Sequence, residues 1–159
     1  MSNSPVIYQQ KLLDNLAESK KHLLRLENAI QALESRVHFP ITQTDYTHIL
    51  QSVELLAYSD QIIYRFSKLQ DTIGAKLFKS VLLYEGENVN RPFLDILNRL
   101  EAMDIINIES WFEIRELRNE IAHDYDEHDE TAIKLLNAIL KRKKELKNTL
   151  KSIENLLNL

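Results

Sequence analysis

The sequence contains no cysteine. That excludes a disulfide framework, a thiolate nucleophile and any zinc site built on sulfur ligands, and it suits a chain that works in a reducing compartment. Breakers are almost as scarce: 2 glycines and 3 prolines in 159 residues are too few for the many turns of a β-sandwich or barrel. No apolar run approaches the ~20 residues that cross a bilayer, and the N-terminus lacks the basic-then-apolar order of a secretion signal, so a cytoplasmic protein with no membrane partner is expected. An excess of positive charge is missing too. With 20 basic against 24 acidic residues the net charge is −4, and any attraction for nucleic acid has to be local. Glycine-rich phosphate loops, the His-Glu-x-x-His helix and nucleophile elbows are also absent.

What the sequence does contain is helical periodicity. Leu12, Leu16, Leu23, Leu26, Ile30 and Leu33 form a heptad-like seam in which Ser19 is polar, predicting a long amphipathic helix that ends before Pro40. From Asp45 to about Leu83 a second stripe, including Ile49, Val53, Leu56, Ile63, Leu69 and Ile73, predicts helix in one or two pieces. A straight helix of that length would span on the order of 58 Å, longer than the first, so a kink or break is expected near Asp71 to Gly74. The Glu85–Asn90 loop precedes Pro92, which suits the first turn of a short helix with Phe93, Leu97, Leu100 and Met103 inward. Trp111, Ile114, Leu117 and Ile121 mark the next helix. The last repeats the heptad seam from Ala132 to Leu157, with Lys143 polar. Its basic middle, Lys141 to Lys151, reads as a solvated face rather than as the alternative, a nucleic-acid patch. The fold expected is all-α: residues 1–159 as one antiparallel bundle of about five helices.

Candidate chemistry is sparse. His22, His38 and His48 lack a second metal-type partner at helical spacing and read as surface or loop residues, and His128 lies among acids. Asp60, between apolar neighbours, calls for a partner such as Arg65 or Lys68 in a structural salt bridge. The segment that stands apart is Arg115-Glu116-Leu117-Arg118-Asn119-Glu120-Ile121-Ala122-His123-Asp124-Tyr125. With Leu117 and Ile121 facing the core, Asn119 and His123 lie about 200° around the helix and point away from it. They are i and i+4 neighbours, so the Asn119 amide is placed to hydrogen-bond and orient the His123 ring. Arg118 is five residues from His123, about 140° around and 7.5 Å along the axis, so the two meet at one phosphate only around a groove edge or with a second subunit.

Arg118-Asn119-x-x-Ala122-His123-x-Tyr125, at the end of an amphipathic helix in an all-helical chain without cysteine, resembles the HEPN superfamily. More closely it is similar to the HepT-like branch, whose Arg-x4-His-x-Tyr motif belongs to toxins partnered by a minimal nucleotidyltransferase antitoxin. The Arg65–Asp71 stretch, Arg-Phe-Ser-Lys-Leu-Gln-Asp, is marked as a further feature of the same resemblance, without an assigned role. The resemblance implies a homodimeric endoribonuclease that needs neither metal nor cofactor, with two copies of the motif lining one cleft. His123 would be its acid or base, Arg118 would hold the scissile phosphate, and Asn119 would orient either one. Asp60 and Arg65 are supporting candidates. Tyr125 matches the tyrosine to which the antitoxin transfers AMP, adding bulk and negative charge where RNA must bind. The alternative is a non-catalytic bundle of the same type that binds a nucleotide or a nucleotidyltransferase partner. The acids around Asp124, Asp126, Glu127 and Asp129 favour it, because they repel an RNA backbone.

Overall fold

In a computed structural model that describes residues 4–158, the chain is all-α. The elements are α1 (Ser4–Glu34), α2 (Gln43–Leu50), α3 (Val53–Thr72), a π-helical turn (Ile73–Leu77), α4 (Phe78–Tyr84), α5 (Phe93–Ala102), α6 (Ile108–Asp124) and α7 (Asp129–Leu156). Because α3, the π turn and α4 run on without interruption, they make one rod, and the described residues form six helical pieces where about five were expected.

Cross-helix contacts give the direction of each rod. Asn15 meets Ser80, Glu18 meets Lys76 and His22 meets Arg65, so α1 runs antiparallel to the α3–α4 rod. Arg118–Asp71 and Tyr125–Asp60 make α6 antiparallel to α3 in the same way. Glu120–Lys134 and Glu113–Arg142 do so for α6 and α7, and Lys20–Glu154 with Glu27–Lys147 for α7 and α1. The result is an up-down-up-down square of four long rods, with α2 packed on α3 and α7 at one end and α5 bridging α4 to α6. Both heptad seams are spent on this square. Leu12, Leu26, Leu33, Ile139, Leu146 and Ile153 are each 0 % exposed, worth about 1.5–3 kcal/mol apiece in removed apolar surface.

Two boundaries differ from the periodicity. The stripe from Ile49 to Leu56 is cut at Ser52, whose hydroxyl accepts from the Leu55 N–H and starts α3 afresh. Val53, predicted inward, therefore sits in the first turn and is 89 % exposed. The expected break near Asp71–Gly74 is a π turn instead of a stop: one extra residue per turn shifts the stripe while the backbone bonding continues. With Asp45–Leu50 removed from it, the rod matches the 31-residue α1 in length, and the mismatch that called for a break disappears. Gly74 lies in this turn, where an added Cβ would stand 3.0 Å from Trp111 Cζ2. The glycine lets the indole of α6 lie against the turn.

Candidate functional site

Asn107 starts α6 by accepting from the Ser110 N–H at 2.9 Å. From there the helix presents three flanks. Trp111, Ile114 and Ile121 point into the core, and Leu117 is half-buried beside them. Glu113, Glu116 and Glu120 turn toward α7, lining a groove of about 920 Å³ whose carboxylates suit no polyanion. Arg115, Arg118, Asn119 and Ala122 turn the other way, into a pocket of about 520 Å³ between α6, the π turn and α5. Gln70, Asp71 and Lys79 complete its polar lining, and Phe93 and Trp111 its aromatic walls. Phe78 meets the Trp111 ring edge-on with centroids 4.7 Å apart, which fixes the indole.

Arg118 does not float in this pocket. Its Nε and Nη2 donate to the two Asp71 carboxylate oxygens, each at 3.0 Å, a bidentate pair that sets the plane of the guanidinium. One edge is used; the Nη1 protons still face away from Asp71 and can take a second anion. Arg115 lies over Phe93 at 5.9 Å, and Lys79 is the third cation of the lining. The Trp111 Nε1 is buried without an acceptor among the described residues.

His123 is exposed in the last turn of α6, outside the pocket lining. Asn119 is exposed one turn earlier, and the predicted hydrogen bond between the two is not made: water reaches both, so neither needs the other. The sequence therefore placed the pair on the outer face correctly but not in contact. Arg118 and His123 of one chain do not share a pocket.

Tyr125 turns inward. Its ring is 9 % exposed, its hydroxyl donates to Asp60 Oδ1 at 3.4 Å, and the Tyr46 hydroxyl lies beside it. Burial, reinforced by these neighbours, pushes the Tyr125 hydroxyl well above its ordinary pKa of 10.0. The carboxyl of Asp60 is raised as well, by loss of water around it. Asp60 thus meets a tyrosine, not the arginine or lysine expected for it: from an exposed position on α3 it reaches across to the end of α6. Arg65 is directed elsewhere, its Nη1 lying 2.9 Å from His22 Nδ1. His22, expected at the surface, is 6 % exposed on the inner side of α1, with Glu18 3.9 Å from its other ring nitrogen. A histidine one residue off a leucine seam looks solvated by pattern alone; the close approach of α3 buries it. Burial first, and the Arg65 charge second, hold its pKa below the ordinary 6.5.

The residues that sequence reasoning missed are Asp71, Gln70, Lys79 and Gly74. Asp71 closes the Arg65–Asp71 stretch, and its contact with Arg118 lies 47 positions away in sequence. Among the described residues, no three histidine, aspartate or glutamate side chains converge to hold a metal ion, and no helix is long and apolar enough to cross a membrane. No protein-family model, no curated protein and no solved structure matches the chain.

Proposed function

We propose that this chain is a HEPN-type endoribonuclease that acts as a homodimer, with Arg118 and His123 supplied to each scissile phosphate by different copies. The observation that carries this reading is a single helix, α6, presenting a guanidinium already fixed by Asp71 and, one turn and a half further on, an imidazole open to solvent. In one chain the two are kept apart. A second copy packed against the same face brings its own His123 to the first chain's Arg118, and the reverse.

The chemistry needs no further group. An imidazole takes the proton from the RNA 2′-OH, the 2′-oxygen attacks phosphorus, and the bond to the 5′-oxygen breaks. That oxygen leaves with the proton the same imidazole has just taken up, so His123 ends as it began, and the product ends are a 2′,3′-cyclic phosphate and a 5′-hydroxyl. The free edge of Arg118 meets the charge that builds on the phosphoryl oxygens, and Asn119 borders the same space as a positioning amide. Inhibition by a nucleotidyltransferase that transfers AMP from ATP to the Tyr125 hydroxyl, with release of pyrophosphate, stays within this reading, with one condition: the hydroxyl is bonded to Asp60, so the C-terminal end of α6 must open before it can be modified.

The non-catalytic alternative has its own support. The pocket is of nucleotide size, with cations, amides and an aromatic wall, and it contains Arg118 and Asn119 but not His123. Incubation of the purified protein with RNA in EDTA separates the two. The nuclease cleaves, leaves cyclic phosphate ends and loses activity in His123→Ala at unchanged stability. Binding of AMP without any cleavage assigns the pocket to the alternative.

A further inference from the structure

The basic residues of α7 and a set on α1 are far apart in sequence, and the antiparallel packing of the two helices brings them to one groove. Lys20, Lys21 and Arg25 come from α1; Lys143, Lys144, Lys147 and Lys151 come from α7. Together they line two adjoining hollows of about 380 and 560 Å³, with Leu23 on the floor of both. Only Glu27 and Glu154 interrupt them, and each is bound to a lysine: Glu27 to Lys147 at 3.1 Å and Glu154 to Lys20 at 3.5 Å. Seven cations against two carboxylates, in a chain of net charge −4, is a strong local segregation of charge. Lys143 sharpens the point, since it occupies a seam position that is otherwise apolar and lies half-buried in the groove wall.

We infer that the α1/α7 groove is a second binding surface, one that holds the phosphate backbone of RNA without reading its bases. The choice of RNA as the polyanion rests on the ribonuclease reading; the groove itself does not. Six of the seven cations are lysines, point charges without the fork that fixes a single phosphate, and neither hollow is lined by an aromatic side chain that could stack a base. Such a lining attracts a run of phosphates and is indifferent to sequence. It also lies on the α1/α7 side of the square, away from the pocket between α3, α5 and α6. Strand held there would be additional to strand held at Arg118.

The test is fluorescence anisotropy with a labelled 2′-O-methyl oligouridylate of about 16 nucleotides, long enough to span such a site. Without a 2′-OH it cannot be cleaved, so binding is read apart from chemistry, and a protein that binds it yet cleaves no RNA overturns the nuclease reading alone. With about five phosphates neutralised, the wild-type affinity falls roughly a hundredfold between 50 and 200 mM salt. The triple variant Lys21→Gln, Lys144→Gln, Lys151→Gln changes exposed lysines outside the ion pairs of the groove. It is expected to bind at least tenfold more weakly, with a shallower salt dependence. The control Lys134→Gln, Lys141→Gln, on the α6 side of the same helix, binds as wild type. Equal binding by the triple variant overturns the inference, as does equal weakening in the control. So does a flat salt dependence of the wild-type protein, a result that needs no variant to fold. Loss of binding to phosphatidylserine-containing vesicles with RNA binding intact assigns the groove to a membrane surface and overturns it too.

Discussion

At one end of the Arg65–Asp71 stretch a guanidinium turns inward onto a buried histidine; at the other a carboxylate holds the guanidinium of Arg118 at the edge of a pocket. The residue types are alike and the surroundings are opposite. His22 is 6 % exposed and must stay neutral to accept from Arg65, so the inner contact holds α1 to α3 and offers nothing to a ligand. The outer pair is reached by water and leaves guanidinium protons unspent. Seven residues on one helix thus serve packing at one end and presentation at the other, and the exposure of the partner decides which.

The comparison is broken most severely through the two histidines. His123→Ala is expected to lower RNA cleavage by about 10²–10⁴-fold, the usual contribution of a general acid or base, and to leave thermal unfolding unchanged. His22→Ala does the reverse. It removes buried packing and leaves the Arg65 guanidinium without its acceptor, at a cost of about 2–4 kcal/mol, or roughly 4–16 °C in Tm by scanning calorimetry. Gly74→Ala reports on the pocket wall just beyond the outer end: the new methyl meets the Trp111 ring at 3.0 Å, and about 1–3 kcal/mol of stability is lost in urea titrations.

A pH series sharpens the same contrast. Because the folded pKa of His22 lies below 6.5, the unfolded chain takes up a proton first as pH falls. The stability that neutral His22 confers is complete above pH 6.5 and is lost as pH falls through its lowered folded value. Denaturant midpoints measured on either side of that window, compared with His22→Gln, check the sign; the variant's profile is flatter. The smallest effect belongs to Asp71→Asn. An ion pair this exposed contributes on the order of 0.5 kcal/mol, so stability hardly moves, while the loss of a fixed Arg118 plane appears as several-fold slower cleavage.

Much of the fold was legible in the sequence for a simple reason: two heptad seams and a short stripe per remaining helix leave little freedom in which faces meet. Leu12 to Leu33 and Leu136 to Ile153 are buried as their spacing requires. The local register was less legible where one capping hydroxyl overrides a stripe, as at Ser52 and Val53. For the site, the sequence marked the helix and the outer face of Asn119 and His123. It gave no view of Asp71 on Arg118, of Asp60 on Tyr125 or of lysines on two helices meeting in one groove. Those depend on pairings 47, 65 and over 100 positions apart, which periodicity along a single helix does not encode.

The central claim is that the guanidinium and the imidazole of a working site come from different copies of the chain, and mixing two dead variants tests it most directly. Arg118→Ala and His123→Ala are each expected to be inactive alone. Unfolded together and refolded as a mixture, they form mixed pairs in about half of the dimers, each with one intact site of two, so RNA cleavage should return to about a quarter of the wild-type rate. A mixture as inactive as either variant would contradict the account.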